Sequence, residues 1–245
     1  MNGALSGLRV LDFTQVILGP SCTAVLADHG ADVIKVERPG SGDLSRAFGP
    51  FKNGASLSYG TLNRNKRSIA INLKNNAGRD LIYRMVAAAD VVINNFRPGV
   101  MEGLGLGYED LKKHNPRIIY ATGTGFGASG PLADSRKAGH DTMAQALTGA
   151  MSTNAGADGT PRRIPLPVAD MTAGNLLVQG ILMALLARQK RERGRSWKSR
   201  CLTPCSGSRR GMLQARPIHC LPGPHARDPI RWMAESITPQ TASSL

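Results

Sequence analysis

Aromatic residues are scarce in this chain, at 4% of its 245 residues, and both tryptophans lie after residue 193. Cysteine is also sparse, because Cys22 alone of the four cysteines lies among the first 187 residues. A lone cysteine excludes a disulfide framework for this long region and is typical of a protein from a reducing compartment.

The sequence also lacks the usual signals of export and membrane insertion. Its N-terminus has no basic region followed by a long apolar run, so we expect no signal peptide. The longest apolar run, near residues 176–187, is short and interrupted for a bilayer span. We therefore expect a soluble, cytoplasmic protein without a membrane partner.

Acidic residues are few near the C-terminus, where none occurs between residue 193 and Asp228. The chain carries a net charge of +14, of which residues 1–187 contribute +5 and residues 188–245 contribute +9. The excess positive charge is therefore mostly a property of the end of the chain. We divide the chain into a folded part, residues 1–192, and a basic tail, residues 193–245.

The basic tail has neither helix nor strand periodicity, and three interpretations compete. It could be a disordered arm for nucleic acid or membrane, or it could hold zinc, although the ligand spacing matches no familiar module. We favour a shifted reading frame, because Arg, Ser, Pro, Gly and Cys are frequent in out-of-frame translations of GC-rich genes. We accordingly predict no metal site and no nucleic-acid partner. The zinc candidates would be Cys201, Cys205, Cys220 and His219 or His225.

Short apolar runs alternate with helical periodicity through the folded part, as in an α/β protein. Strands at Arg9–Phe13 and Asp32–Glu37, with a helix between them, have the spacing of a parallel β-α-β unit. Ligands of parallel sheets bind at the carboxyl ends of the strands, so residues 14–17 and 38–40 are candidate binding loops. Further strands are predicted at residues 68–73, 90–94 and 117–122, and further helices at residues 76–89, 108–114 and 139–150 and from Asp170 to about Arg188.

A long polar loop, residues 38–67, separates two of the predicted strands. Its densest cationic cluster, residues 63–67, could meet a phosphate-bearing ligand or form a solvated edge, and the sequence favours neither. A glycine-rich turn at residues 123–127 resembles a phosphate cradle only superficially, because it lacks the spacing of the dinucleotide fingerprint. No such fingerprint follows the first strand, so these glycines do not identify a nucleotide site.

One carboxylate precedes the apolar run of the last predicted helix. Pro165 and Pro167 hold the residues before them extended, and Asp170 then lies at or near the N-cap, with Thr172 as the nearby alternative. Free N–H groups and the helix dipole stabilise a carboxylate there as the anion, which can attack an activated acyl group. Capping alone would also explain Asp170 and is the commoner role of such a residue.

Several blocks of the sequence, taken together and in order, resemble CoA-transferase family III over about residues 5–195. The resemblance implies a Rossmann-like α/β large domain, which is a parallel sheet with flanking helices, and a homodimer of interlocked protomers. The blocks are residues 8–14 with Gly19-Pro20, residues 30–39, residues 65–68 with residues 72–74, residues 94–99, residues 145–149 and Asp170.

The resemblance also implies covalent catalysis by Asp170. Its carboxylate would attack the thioester of a donor acyl-CoA to give an acyl-aspartyl anhydride and CoA thiolate, and the thiolate would return to form an aspartyl-CoA thioester. The acceptor carboxylic acid would then collect CoA. An aspartate of pKa ~3.9 is already ionised at neutral pH. Exchange between thioesters is nearly isoenergetic, so the protein need only position groups and stabilise oxyanions.

Coenzyme A, bound as the acyl-CoA substrate, would explain the cationic loops. Its phosphates would contact Arg38, and its adenine and ribose would contact residues 71–74. Relatives often carry a basic residue where this chain has Gly103, so one phosphate contact is missing or is made by Arg97. The implied CoA contacts are Val16, Ile17, Arg38, Ile71, Asn72, Leu73, Lys74, Asn95, Phe96, Arg97, Lys137, Ala138, Gly139 and His140.

The α-methylacyl-CoA racemases, a second subgroup of the same superfamily, offer an alternative. They use a His and an Asp as a two-base pair, and their His lies in a Gly-His-Asp motif like residues 139–141. His140 and Asp170 could then face opposite sides of a substrate α-carbon. We favour the transferase because residues 145–149 and 167–170 are more typical of transferases. A basic nucleic-acid-binding protein is a remoter hypothesis that depends on the tail.

Members of this family are considerably longer than 245 residues. Beyond the helix that ends near Arg188 they continue into a small domain, a glycine-rich loop over the active site and much of the interlocked dimer. We therefore expect the C-terminal half of the family fold to be missing, apolar surface to be exposed, and the chain alone to fold poorly or to be inactive. The donor and acceptor acids are not identified, because acyl-facing residues are expected in that half.

Overall fold

The computed structural model describes residues 3–127, 129–134, 139–191 and 196–200. These residues form an α/β fold. Its strands are β1 (Arg9–Asp12), β2 (Asp32–Glu37), β3 (Phe51–Lys52), β4 (Ala55–Ser56), β5 (Arg67–Ala70), β6 (Val91–Asn94), β7 (Ile119–Thr124) and β8 (Ser196–Arg200). Its helices are α1 (Leu18–Asp28), α2 (Leu57–Leu62), α3 (Asn76–Ala87), α4 (Val100–Gly103), α5 (Tyr108–His114), α6 (Pro131–Asp134), α7 (Asp141–Leu147), α8 (Ala150–Thr153) and α9 (Val168–Arg191), with a 3-10 helix at Leu44–Ala47.

Six of these strands form one sheet in the order β5-β2-β1-β6-β7-β8, and each neighbouring pair is parallel. The predicted parallel α/β sheet with flanking helices is therefore confirmed. From β1 the sheet extends in one direction through β2 and β5, and in the other through β6 and β7. The strand order reverses between β1 and β6, and ligand crevices form at the carboxyl ends of the strands at such a switch point.

Helices cover both faces of the sheet because alternate residues of a strand point to opposite faces. On one face Val10 and Ile93 pack in a core with residues of α1 and α9. On the other face their neighbours Leu11 and Val92 pack with residues of α3 and α5. Burial on both faces explains why the central strands read as almost continuous apolar runs in the sequence.

Several predicted elements are confirmed, and the account of residues 38–67 is wrong. β2 and α5 have the predicted bounds, whereas the long loop contains the 3-10 helix, the antiparallel hairpin β3-β4 and α2. Side-chain caps start two of these elements: Asp43 Oδ1 accepts from the Ser45 N–H at 2.8 Å, and Ser56 Oγ accepts from the Tyr59 N–H at 3.1 Å. Short capped elements show no apolar period that can be detected in the sequence.

The helix predicted over residues 139–150 consists of two helices, α7 and α8. Gly149 separates them with φ +80°, a left-handed conformation that glycine readily adopts after a helix C-terminus. The structure also contains α4, which was not predicted because four residues are too few to show helical periodicity. These differences change the bounds of helices. They leave the parallel sheet with helices on both faces unchanged.

A strand lies within the segment that was expected to be an irregular tail. β8 pairs in parallel with β7, from Tyr120 opposite Ser196 to Thr124 opposite Arg200. The expectation of no regular structure after residue 193 is therefore wrong for these five residues. The zinc candidates from Cys201 onward lie outside the described residues, and the division of the chain at residue 193 remains a prediction.

α9 is longer and more apolar than its sequence pattern indicated. Its segment Val168–Gln189 is long and apolar enough, by length and composition alone, to cross a membrane. Half of its most apolar stretch is buried inside the protein, and Ala173, Leu177 and Ile181 are completely buried in the core with α1 and the sheet. Core helices of α/β proteins have the same length and composition, and we interpret α9 as one of them.

Large apolar side chains are nevertheless exposed on α7, on α9 and on the segment that precedes α9. Contiguous exposed apolar surface generally marks an interaction surface. Exposed apolar side chains thus occur in this part of the fold, and the packing of a further part of the family fold on them stays a prediction. The residues are Leu147, Leu166, Met171, Met183 and Leu186, with exposed fractions of 52%, 65%, 46%, 52% and 62%.

Candidate active site at the switch point

The loop that follows β1 has a strained backbone. Val16 has φ +68°, a conformation that β-branched residues rarely adopt and that costs about 1–3 kcal/mol. Asn95 fixes the preceding residue on both sides: the Gln15 N–H donates to Asn95 Oδ1 at 2.8 Å, and Asn95 Nδ2 donates to the Gln15 carbonyl oxygen at 2.7 Å. Asp43 Oδ1 accepts from the Val16 N–H at 3.1 Å. Two other loops therefore hold the strained loop in place.

A buried ion pair supports the same loop. Lys35 Nζ lies 2.8 Å from Asp43 Oδ2, and both side chains are almost completely buried. Lys35 Nζ also donates to the carbonyl oxygen of Thr14 at 2.7 Å. The pair therefore joins β2, the Asp43 loop and the loop after β1. Because a buried charge without its partner is costly, these contacts restrain all three segments together.

A second buried ion pair lies at the carboxyl end of β1. Lys66 Nζ is 3.2 Å from Asp12 Oδ2, and Asp12 also accepts hydrogen bonds from the hydroxyl groups of Thr14 and Thr23 at 2.5 and 2.6 Å. Burial by itself raises the pKa of Asp12, but Lys66, Lys35 and the two hydroxyl groups outweigh it and lower the pKa to about 2. Asp12 is therefore a charged structural group at physiological pH.

We expect the free energy of unfolding to fall as the pH is lowered from about 5 to about 2. The pKa of Asp12 is about 2 in the folded protein against an ordinary value of 3.8. Its ionised form therefore stabilises the fold above the ordinary pKa, and this contribution of about 2 kcal/mol is lost as the pH falls through the folded pKa. Urea unfolding at several pH values measures the effect. Asp12→Asn should flatten this dependence and exposed Asp80→Asn should not; equal slopes in both variants would refute the assignment.

The cationic cluster at residues 63–67 is used inside the protein. Each of its three charged side chains forms an ion pair with an aspartate. The hypothesis that this cluster meets a phosphate-bearing ligand is therefore not supported, because its charges already tie β5 and the turn before it to α1, β1 and β2. The ion pairs are Arg64–Asp28, Lys66–Asp12 and Arg67–Asp32.

Glu37 ends β2, where dinucleotide-binding folds place the acidic residue that binds ribose. Its carboxylate already accepts hydrogen bonds from Arg46 at 2.7 Å, Tyr59 at 2.9 Å, Ser68 at 2.6 Å and the Asp43 N–H at 2.8 Å. Burial raises the pKa of Glu37, but these donors, Arg46 foremost, hold it well below its usual range. A carboxylate so fully bonded has no acceptor position left for a ribose hydroxyl, which argues against a nicotinamide dinucleotide.

Asp170 does not cap its helix. α9 begins at Val168, so Asp170 is the third helical residue. The N–H groups of Ala169 and Asp170 instead donate to Asp141 Oδ1 from α7, at 2.8 and 3.3 Å. Asp141 therefore performs the capping role that the sequence alone left open for Asp170. The side chain of Asp170 is 8% exposed and lies in the first turn, where the helix dipole stabilises its anion.

A cleft of about 290 Å³ opens beside Asp170 at the switch point. The loops after β1, β6 and β7 and the residues before α7 form its walls. The structure thus brings together the larger part of the predicted site that it describes. The predicted residues that line the cleft are Val16, Ile17, Asn95, Phe96, Arg97, Gly139, His140 and Asp170.

The glycine-rich turn at residues 123–127 also lines this cleft, although its sequence predicted no role for it. Gly125 packs directly against Gly139, because a Cβ atom on Gly125 would lie only 2.5 Å from the Gly139 Cα atom. The close approach places the Gly139–His140 segment against the end of β7. The sequence shows a glycine in each of the two segments, at positions 125 and 139, but only the tertiary structure shows that the two glycines are in contact.

The remaining predicted CoA contacts lie elsewhere. Arg38 and residues 71–74 follow β2 and β5 at the same edge of the sheet and do not line the cleft. Arg38, Asn72 and Lys74 are exposed, whereas Ile71 is buried in a core and donates its N–H to the Glu37 carbonyl oxygen at 3.0 Å. Adjacent strands are about 4.8 Å apart, so β5 lies three strand spacings, about 14 Å, from β6. Lys137 and Ala138 lie outside the described residues.

A second cavity, of about 450 Å³, lies on the other side of residues 96–98. Glu102, Glu109 and Asp110 contribute to its lining. Three carboxylates repel phosphate groups, so this cavity is unsuited to the phosphates of CoA. This agrees with Gly103, which stands next to Glu102 where relatives often carry a basic residue. Arg38 and Lys74 are exposed cations towards β2 and β5 at the same edge of the sheet.

Among the described residues, no three His, Cys, Asp or Glu side chains converge as ligands for a metal ion. Cys22 is buried, and burial, with Asp12 adding to it, raises the pKa of its thiol. A thiol of raised pKa is a poor nucleophile at neutral pH. The reactive groups that the described cleft offers are therefore the carboxylate of Asp170 and the imidazole of His140.

The fold and the cleft define an α/β protein with a ligand site at the switch point of a parallel sheet and a buried carboxylate beside it. The family model of CoA-transferase family III matches residues 5–203, and the chain belongs to this family. The match continues eight residues beyond the resemblance recognised in the sequence and includes all of β8. The assignment to family III CoA-transferases is therefore confirmed.

Curated relatives carry names that describe transfer of CoA between acids. The chain is 44% identical over 194 residues to acetyl-CoA:oxalate CoA-transferase of Acetobacter aceti, a match that covers 79% of this chain and 49% of that protein. It is 42% identical over 191 residues to succinyl-CoA:glutarate CoA-transferase of Mus musculus, covering 78% and 43%. The chain thus spans about half the length of the curated relatives it matches.

Two solved protein structures are also similar to most of this chain, and each belongs to a longer chain. A CaiB/BaiF family protein from Brucella suis is 34% identical with a TM-score of 0.81, and the match covers 98% of this chain and 60% of that one. A protein from Mycobacterium tuberculosis is 36% identical with a TM-score of 0.77, covering 86% and 59%. The described fold therefore corresponds to part of a larger family structure.

Proposed function

We propose that this chain forms the CoA-binding and nucleophile-bearing part of an acyl-CoA:carboxylate CoA-transferase that works through a covalent intermediate on Asp170. One observation supports this assignment most directly. Asp170 lines the cleft, and Asp141 rather than Asp170 caps α9. A largely buried aspartate in the first turn of a helix that another residue caps, beside a ligand cleft, suits a nucleophile.

In the proposed reaction the Asp170 carboxylate attacks the carbonyl carbon of the donor thioester. The C–S bond breaks, CoA leaves as the thiolate, and an acyl-aspartyl anhydride remains. The thiolate attacks the aspartyl carbonyl of the anhydride, so the donor acid leaves and an aspartyl-CoA thioester forms. The acceptor carboxylate then attacks this thioester, and the released thiolate finally attacks the acceptor carbonyl, which regenerates Asp170 and yields the new acyl-CoA. No group is oxidised or reduced, and no general base is required because each attacking group is already an anion.

The cleft can place the thioester end of CoA beside Asp170 and direct its other end along the sheet. Val16, Ile17 and residues 95–97 line the cleft and would contact the pantetheine arm. Arg38, exposed at the end of β2, would meet the phosphates, and residues 71–74, at the end of β5, would contact the adenine and ribose. An extended pantetheine arm readily bridges the three strand spacings between these groups.

A racemase-like proton transfer is the second candidate, because His140 and Asp170 line one cleft. Two bases on opposite sides of an α-carbon could remove and return a proton. We place it second because the curated relatives described above are named CoA-transferases.

Two assays on the purified chain separate the candidates. Acetyl-CoA or succinyl-CoA is mixed with oxalate or glutarate, and new CoA esters are detected by liquid chromatography with mass spectrometry. In parallel, a 2-methylacyl-CoA is incubated in deuterated water. We expect any product to be a new CoA ester without α-deuteration, and because the chain alone is expected to have little or no activity, both assays are repeated on the product of a gene whose reading frame is restored after residue 193. Deuteration without transfer would favour the racemase, and failure of the chain to bind CoA in calorimetry as well as to react would contradict both candidates.

We also propose that the protein acts in the cytoplasm as a homodimer that binds acyl-CoA and a small carboxylic acid, with neither nucleic acid nor membrane as a partner. The exposed apolar side chains of α9, including Met183 and Leu186, would suit such an interface. Analytical ultracentrifugation over a range of concentrations tests the assembly.

A further inference from the structure

Gln145 on α7 is a completely buried polar side chain. Its amide is satisfied on both sides. Oε1 accepts from the Ile164 N–H at 2.9 Å, and Nε2 donates to Asp141 Oδ2 at 2.6 Å. Nε2 also lies within hydrogen-bond distance of the carbonyl oxygens of Ile164 and Leu166, at 3.3 and 3.2 Å. One side chain therefore links α7 to the segment that leads into α9.

That segment is held locally by the exposed Arg163 side chain, which donates to the carbonyl oxygens of Ile164 and Pro165 at 3.3 and 2.9 Å, and by the Val168 N–H, which donates to the Leu166 carbonyl oxygen at 2.8 Å. Pro165 and Pro167 have no N–H group to donate, and the side chains of Pro165 and Leu166 are exposed. Gln145 adds buried contacts from α7, because it bonds both the N–H and the carbonyl oxygen of Ile164 and the carbonyl oxygen of Leu166. Asp170 lies four residues beyond Leu166, so the position of its carboxylate depends on this anchoring.

The same amide also orients the residue that caps α9. Asp141 bonds Gln145 through Oδ2, and through Oδ1 it accepts from the N–H groups of Ala169 and Asp170. Asp141 is also buried. A buried carboxylate is costly unless its oxygens accept hydrogen bonds, and Gln145 supplies the side-chain donor. The chain of contacts runs from Gln145 through Asp141 to the backbone N–H of the candidate nucleophile.

We propose that Gln145 is a positioning residue that fixes Asp170 in the cleft by holding both the proline-containing segment and the capping carboxylate of Asp141. The proposal deepens the function assigned to Asp170 and rests on it. The role requires an amide, because one side chain must accept from Ile164 and donate to Asp141 at the same time. A glutamate of the same shape could accept but, when ionised, could not donate.

The experiment compares Gln145→Glu with Gln179→Glu, the same change at an exposed position of α9. An ionised glutamate at position 145 would place a second negative charge against Asp141 and remove one of the two donors to the carbonyl oxygen of Leu166, which keeps the Val168 N–H at 2.8 Å. Hydrogen exchange resolved by NMR at the Ile164, Ala169 and Asp170 amides reports the anchoring without reference to activity. We expect exchange at these amides to be faster by about tenfold or more at pH 8 in Gln145→Glu, with unchanged exchange in β1 and β6.

At pH 5, after correction for the intrinsic exchange rates, the difference between Gln145→Glu and the wild type should shrink, because the introduced carboxyl group can donate one hydrogen bond once it is protonated.

Adding Asp141→Asn to Gln145→Glu reverses donor and acceptor, because the introduced asparagine amide can donate to the introduced carboxylate. We expect this double variant to recover part of the slow exchange at pH 8, which a general loss of packing would not do. Exchange at wild-type rates in Gln145→Glu, or no recovery in the double variant, would overturn the positioning role whether or not the chain is active.

Covalent capture of an acyl group on Asp170, followed by mass spectrometry after acid quenching, connects the anchoring to the proposed chemistry. We expect Gln145→Glu to slow capture at pH 8 while the dissociation constant for CoA stays within about twofold, since Gln145 does not line the cleft. Normal capture despite accelerated exchange would overturn the link to Asp170. Absence of capture in the wild-type chain would contradict the proposed function. The hydrogen-exchange rates would still show whether Gln145 anchors the segment before α9.

Discussion

Replacing Asp170 with asparagine is expected to abolish covalent capture of an acyl group from acyl-CoA. The amide has nearly the same shape but carries no negative charge and is a very weak nucleophile, so the first C–O bond cannot form at a useful rate. Removing a nucleophile from a preorganised site commonly costs at least about 10³-fold in rate. The measurement is the mass of the peptide that contains residue 170 after brief incubation with acetyl-CoA or succinyl-CoA and acid quenching.

Asp158→Asn is a suitable control, because Asp158 is an exposed aspartate in the turn before the proline-containing segment. The control should be labelled like the wild type. Because asparagine keeps the shape of the side chain and Asp141 still caps α9, Asp170→Asn should remain folded at the temperature of the assay. Capture that persists in Asp170→Asn, or a large loss of stability in place of a loss of capture, would contradict the role of Asp170 as nucleophile.

The sheet was predictable because its strands are buried on both faces. β2 was predicted with its observed bounds, and β1 and β6 to within one residue at one end, since apolar runs bounded by turn residues leave few alternatives. The elements between residues 38 and 67 were not predictable in the same way. They depend on side-chain caps and on the Lys35–Asp43 ion pair, which joins residues that read as separate polar positions in the sequence.

The candidate active site was also only partly predictable from the sequence. Asp170 was identified by its place between a proline-containing segment and an apolar run, and the cleft residues by their places at strand ends. Nothing in the local sequence indicates that Asp141, 29 residues earlier, caps α9, because a capping side chain normally belongs to the same helix terminus. Ile71 remains a predicted CoA contact, but its side chain is buried in the core and its N–H is bonded to the Glu37 carbonyl oxygen, so a ligand there would meet its backbone carbonyl group.

Replacing Lys35 with methionine is expected to destabilise the protein by about 3–5 kcal/mol, because it leaves the buried carboxylate of Asp43 without its cation. Methionine retains much of the volume of the lysine stem, so lost packing contributes little. At this chain length such a loss lowers the midpoint of thermal unfolding by roughly 10 °C. Circular dichroism on heating, with exposed Lys52→Met as the matched control, measures the difference.

The Lys35–Asp43 ion pair also affects the conformation of the loop after β1, which a measurement of stability does not detect. Lys35 also donates to the carbonyl oxygen of Thr14, and Asp43 accepts from the Val16 N–H, so the pair holds the positive φ of Val16. A strained residue persists only while its surroundings fix it. Lys35→Met should therefore let the loop after β1 relax and weaken CoA binding by about tenfold or more at temperatures where the fold is intact.

Adding Asp43→Asn to Lys35→Met removes the unpaired charge but keeps an oxygen that can accept from Val16. The double variant should recover a large part of the stability and less of the affinity, because the bond from Lys35 to Thr14 remains absent. If Lys35→Met lost stability but bound CoA as the wild type does, Val16 would owe its conformation to Asn95 and Asp43 alone. In that case the buried ion pair would serve the fold and not the cleft.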